Sequence, residues 1–168
     1  MPMQNMADIL FAVLVLLWIV FRQLRARPVK ERNAYTVMLV LGVLGLYQIA
    51  TLAGKVPVPA SAYVALVIGL GSGAFFGWLR GRLVRVWRQD GALFRQGNWL
   101  TVLLWIGGLL VHLGIDRVGV LLAPASQQAA ASACGTNGIL LYLAVALAAQ
   151  RSATLRRAPL PQLHTQPA

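Results

Sequence analysis

Apolar residues along this chain come in long runs, and the runs are separated by short stretches that carry arginine. A helix needs about 20 apolar residues to cross a hydrocarbon core of about 30 Å. Five segments meet or approach that length: 7–21, 34–53, 60–79, 99–114 and 129–149. None alternates with a period of two, so they do not read as barrel strands. A lipid-facing segment must pair its own backbone groups, which leaves the helix. A further apolar run, Val118 to Ala123, is too short to span and reads as an interfacial turn between the fourth and fifth spans. The pattern predicts an all-α integral membrane bundle of five helices over residues 1–151, with the Pro- and Gln-rich 152–168 as a disordered cytoplasmic tail. The loop holding Pro57 and Pro59 is short, so the second and third spans are expected to pack closely together.

The first span resembles a signal peptide in position only. It has no basic region before it and no small-residue cleavage pattern after it, so it reads as an uncleaved anchor.

Charge gives the bundle two different ends. Of 15 Lys and Arg, five (Arg22, Arg25, Arg27, Lys30, Arg32) lie between spans one and two. Five more (Arg80, Arg82, Arg85, Arg88, Arg95) lie between spans three and four, and Arg151, Arg156 and Arg157 follow span five. Only Lys55 and Arg117 fall in the alternate loops. The positive-inside rule then puts the N-terminus outside and the C-terminus in the cytoplasm. Arginines at this interface orient the protein and meet anionic lipid. That role accounts for the net charge of +11 without nucleic acid.

Within the third span Gly69, Gly73, Gly77 and Gly81 recur every four residues. Such a stripe lets another backbone approach closely. It serves a helix contact inside the chain, a homodimer face, or a ligand groove. The stretch "RLVRVWRQDGALFRQGN" follows. Asp90-Gly91 is a two-residue hairpin signal. Counted outward, it pairs Gln89 with Ala92, Arg88 with Leu93 and Trp87 with Phe94, the last a favourable aromatic pair. The alternative over 82–97 is a basic amphipathic helix lying in the interface.

The run "RGRLVRVWRQDGALFRQGNWLTVLLWIGG", with "FRQLRARPV" before it and "LYLAVALAAQR" after it, resembles the CcdC-like family of small bacterial membrane proteins. The likeness covers roughly residues 7–151. Its clearest motif is R-x-x-R-V-W-x-x-D-G-x-x-x-x-x-G. The resemblance implies a compact multispanning bundle in a bacterial inner membrane. One branch is named for a neighbourhood with cytochrome c maturation genes. It implies no catalytic residue.

Ionisable groups inside a span are costly and become candidates for function. Asp and Glu are absent from the interior of the predicted spans, which argues against an acid-driven antiporter of the small multidrug type. His112 stands near the outer end of the fourth span, with Asp116 four residues on and on the same side. Such a pair can relay protons, or the imidazole can bind haem. Otherwise His112 is an interfacial histidine bonded to headgroups, water or backbone. Haem held by two histidines would need His164, which lies on the opposite side in this topology, so only an oligomer could supply it. Gln48, His112 and Asn137 lie at similar depth and are expected to share a polar cluster with Asp116. Other polar residues, among them Thr51, Ser72, Thr101 and Thr136, are expected to bond between helices. Cys134 has no cysteine partner and reads as packing. No nucleotide-binding, metalloprotease or serine-hydrolase motif occurs. No catalytic or metal residue is assigned. Two classes remain: a non-catalytic accessory or scaffold protein that assembles with copies of itself or other membrane proteins through the glycine stripe, and a small transporter or cofactor-handling protein centred on His112.

Overall fold

The computed structural model describes residues 34–89 and 92–157, together with the backbone of Arg27–Pro28. Four helices run through it: α1 (Ala34–Lys55), α2 (Ala60–Leu83), α3 (Trp99–Leu121) and α4 (Gln128–Leu155). All four are long and apolar enough to cross a membrane. The span expected at 7–21 lies outside the described residues, as do Arg22, Arg25 and the tail from 158 onward.

The helices run further than the apolar pattern does. α2 continues through Arg80 and Arg82 to Leu83, and α3 continues through Asp116 and Arg117 to Leu121. A polar residue ends contact with hydrocarbon, but it does not end an i→i−4 hydrogen-bond ladder. The stop after α3 comes with Pro124, which has no N–H and disfavours helical geometry in the residue before it. Val118–Leu121 is therefore the last turn of α3, not an interfacial turn. A short 3₁₀ turn, Ala125–Gln127, leads into α4. α4 in turn runs six residues past the predicted end, and Ala153 and Thr154 are buried. The part of the expected disordered tail at 152–155 is thus packed helix.

α3 begins with a reciprocal cap. The Thr101 N–H donates to Asn98 Oδ1 at 2.9 Å, and the Asn98 N–H donates to Thr101 Oγ1 at 3.1 Å. Two donors that a helix start leaves unpaired are satisfied in this way.

α4 is the centre of the bundle. It packs against α1, α2 and α3, and α2 also packs against α3. α1 and α2 make at most marginal contact, so the close pairing expected from their short loop does not form. A short connection fixes neighbouring ends, not neighbouring faces. The choice of partner follows side-chain size. α4 buries Ala131, Cys134, Gly138, Ala144 and Ala146 along its length, and these small residues let two helices approach it from different sides. Cys134 is a free, buried thiol among Ala62, Ala123 and Ala131.

The glycine stripe of α2 is used inside the chain. A methyl group at Gly77 would strike the Ala146 backbone, and one at Gly81 would strike the Gln150 carbonyl. At Gly73 it would meet the Tyr142 ring at 2.8 Å. Gly73, Gly77 and Gly81 seat α4 and Gly69 faces His112 of α3, so the stripe is not free to serve as a homodimer face.

Between α2 and α3 lies the hairpin, β2 (Arg85–Gln89) and β3 (Ala92–Gln96). Its register pairs Gln89 with Ala92, Arg88 with Leu93 and Trp87 with Phe94, as the two-residue spacing predicts. The Trp87 and Phe94 rings stack at 5.9 Å. The amphipathic-helix alternative for this stretch is set aside. A third strand, β1 (Arg27–Pro28), which the sequence did not announce, pairs antiparallel with β3 and gives the order β1-β3-β2. Arg27 lies opposite Arg95.

That pairing settles which loops share an end. Arg27 and the hairpin are together, and Gly81 against Gln150 and Ala153 brings the end of α4 to the same level. Gly119 lies against Ala65 and Ser61 at the other end. Arg27, Arg80, Arg82, Arg85, Arg88, Arg95, Arg151, Arg156 and Arg157 therefore gather at one end, and Lys55 and Arg117 at the other.

Candidate functional site

Three helices meet around His112. The residue sits in α3, two turns before the helix end, and its side chain is fully buried, with 0% exposure. Tyr142 of α4 lies over the ring, with centroids 4.2 Å apart and planes 12° apart. Gly69 of α2 covers the ring edge, where a methyl group would come within 2.8 Å of Nδ1. Nε2 lies 3.3 Å from Asp116 Oδ2, one helical turn away. Neither ring nitrogen completes a hydrogen bond among the described residues. The Asp116 contact has the distance of an ion pair but lacks the alignment of a hydrogen bond.

The burial corrects one expectation. His112 does not face headgroups or water as an interfacial histidine would. Small residues on all three helices let them close: Gly69 lies against the imidazole itself, Gly108 against Tyr142, and Gly138 against Leu66. At Gly108 a methyl group would stand 2.8 Å from the Tyr142 hydroxyl oxygen, so this glycine is what admits the tyrosine. At Gly138 it would stand 2.7 Å from Leu66.

Asp116 faces outward from this centre. Its side chain is 15% exposed and lies against Gly135, where an added methyl would be 3.0 Å from the carboxylate carbon. It lines a groove of about 290 Å³ between α3 and α4, together with Leu113, Arg117, Ser132, Thr136 and Ile139. The bundle therefore holds an acidic residue inside a spanning helix, contrary to expectation, because α3 continues beyond its apolar run.

The rest of the expected polar cluster is not hydrogen-bonded to His112. Gln48 is on α1, which makes at most marginal contact with α3, and no hydrogen bond joins Gln48, His112 and Asn137 among the described residues. Tyr142, outside the expected cluster, is the residue that lies on the ring. The expected bonds between helices are also mostly local. Thr51, Ser72 and Thr136 donate to carbonyls within their own helices, at Tyr47, Gly69 and Ser132. A bond that does cross runs from the Ser61 hydroxyl in α2 to the Gly119 carbonyl in α3, at 2.9 Å.

Arg80 is the second buried polar centre. It is 3% exposed, its Nε donates to the Phe76 carbonyl at 3.3 Å, and its guanidinium stands 5.8 Å from the Trp105 ring centroid. It was expected among the lipid-facing arginines, but α2 carries it one helical turn inside the bundle. Arg82 does face outward, over Trp78 at 4.2 Å, and Arg85 and Arg88 are exposed.

Haem does not fit at His112 in this arrangement. Tyr142 covers a face of the ring, Gly69 closes on Nδ1, and Nε2 points at a carboxylate. Among the described residues no three of His, Cys, Asp or Glu are grouped to hold a metal ion. What the pair can do is exchange a proton, and what Asp116 can do is meet a cationic or hydrogen-bonding group in the groove.

A scan against protein-family models gave no match, and searches of the curated proteins and of the solved structures gave none.

Proposed function

We propose that this chain is a multi-pass membrane protein that binds or transports a small solute, with the His112–Asp116 pair and the adjoining groove as its working centre. The observation that carries the reading is a fully buried imidazole with both nitrogens unbonded, beside a carboxylate that reaches the surface of a groove. Burying a polar group without hydrogen bonds costs on the order of 1–3 kcal/mol. Packing alone would favour phenylalanine at this position. The arginine-rich end is assigned to the cytoplasm by the positive-inside rule, and the groove to the outer half of the bilayer. The resemblance to the CcdC-like family supports a bacterial inner membrane and a link to cytochrome c maturation.

A second reading, an accessory protein without chemistry of its own, rests on α1. That helix is the least buried of the four and leaves Leu39, Val43, Leu46 and Tyr47 exposed. Complementation of a deletion strain separates the two. On the first reading, His112→Phe and Asp116→Asn insert and accumulate normally but fail to complement. On the second, both complement.

A further inference from the structure

The groove beside Asp116 has an order along the membrane normal. α3 ends at Leu121, so Asp116 and Arg117 stand about 6–8 Å below the helix end at 1.5 Å per residue. Leu113 stands about 12 Å below it. On the facing wall, Ser132 stands about 6 Å from the start of α4, Thr136 about 12 Å and Ile139 about 16 Å. Half a hydrocarbon core is about 15 Å deep. Asp116, Arg117 and Ser132 therefore sit in the shallow part of the groove, beside Val120, and Leu113, Thr136 and Ile139 line the deeper part. Leu113, Arg117, Ser132 and Thr136 are exposed, so the groove opens sideways toward lipid.

The charges in the shallow part are of both signs. Asp116 presents a carboxylate, and Arg117 a guanidinium with no ion pair among the described residues. The Ser132 hydroxyl makes no hydrogen bond among the described residues. Two neighbouring residues on a helix point in different directions, about 100° apart, so this acid and base do not neutralise each other. They offer separate sites for a molecule that carries an ammonium and an anion a few ångströms apart.

We infer that this lateral groove binds an outer-leaflet phospholipid with a zwitterionic, primary-amine headgroup: the ammonium on Asp116, the phosphodiester on Arg117 and Ser132, and an acyl chain along Leu113 and Ile139. The inference rests on the solute-binding reading and names the ligand class. A primary ammonium has three N–H donors for a carboxylate, whereas a choline headgroup has none. An anionic glycerol headgroup offers hydroxyl donors but no cation, so its bonds to Asp116 lack the charge pairing and bring a second anion near the carboxylate. His112 stands behind the carboxylate, with Nε2 3.3 Å from Asp116 Oδ2.

The test is native mass spectrometry of the full chain, released from nanodiscs with equal phosphatidylethanolamine, phosphatidylcholine and phosphatidylglycerol. The wild type should retain phosphatidylethanolamine about tenfold over each of the others, the scale of one charge-assisted hydrogen bond. Asp116→Asn should abolish the preference over phosphatidylcholine, and Arg117→Gln should weaken retention of phosphatidylethanolamine and phosphatidylcholine alike. Equal retention of all three lipids by the wild type overturns the inference, and so does an unchanged preference in a folded Asp116→Asn. If Asp116→Asn does not fold, the wild-type preference decides alone. Loss of complementation by His112→Phe without any lipid preference would remove the lipid and keep the solute-binding reading.

Discussion

Tyr142 lies flat on His112, with the two rings 4.2 Å apart and within 12° of parallel. The contact joins the centre of α4 to the middle of α3, and both rings need glycines opposite them to fit. The stack is a packing unit as well as a polar one, and its two roles can be separated by substitution.

His112→Ala vacates a ring-sized volume in a fully buried position and should cost about 3 kcal/mol, the scale of aromatic truncation in a core. His112→Phe keeps the ring and the stack and should stay within about 1.5 kcal/mol of wild type. Thermal unfolding in detergent gives both values. Equal losses in the two variants would show that the nitrogens, not the ring, hold the structure.

Gly77 and Gly71 sit six residues apart on α2 with opposite surroundings. A methyl group at Gly77 meets the Ala146 backbone, which cannot move aside as a side chain would, while one at Gly71 meets nothing within 4 Å. Gly77→Ala should destabilise the bundle by about 1–3 kcal/mol. Gly71→Ala should be neutral or slightly stabilising, since alanine favours the helix. The same unfolding assay reads both, and a harmless Gly77→Ala would mean that α2 and α4 are not in this contact.

Asn98→Ala removes the side-chain half of the cap on α3 and should cost about 1 kcal/mol. Amide exchange should rise first at Thr101, whose N–H loses its 2.9 Å partner. Unchanged protection there would argue that another group caps the helix.

Trp87→Ala removes one ring of the hairpin pair. The loss should be about 0.5–1.5 kcal/mol and local. Proteolysis within 85–96 should quicken while the bundle's melting temperature holds.

Single cysteines test the ends. Arg27→Cys, Arg85→Cys and Arg157→Cys should react with an impermeant maleimide from one side of the bilayer, and Lys55→Cys and Arg117→Cys from the other. The native Cys134, which is 1% exposed, should stay silent until the protein unfolds. Labelling of Arg27→Cys and Arg85→Cys from opposite sides would contradict the pairing of β1 with β3.

Much of this architecture was legible in local pattern. The Asp90-Gly91 dipeptide sets the hairpin register because a two-residue turn leaves one way to pair its flanks. Asp116 four residues after His112 is legible for the same kind of reason: one helical turn brings the two side chains together. Tyr142 was not legible. Thirty residues and a turn separate it from His112, and one tyrosine in an aliphatic run gives no sign of what it will face. Similar depth did not bond Gln48 or Asn137 to His112, because depth says nothing about which side of a helix faces which neighbour.

The sequence by itself determined the number and approximate position of the long apolar helices among the described residues, the hairpin and its register, and the separation of charge between the two ends. These follow from desolvation of the backbone, turn geometry and charge, which act over a few neighbouring residues. Only the tertiary structure decided that α4 is the central helix, that the glycines of α2 are spent inside the chain, that Arg80 and His112 are buried, and that Asp116 opens on a groove. Those outcomes depend on how small residues from separate helices come to lie against one another, a matter of close packing between surfaces far apart in the chain.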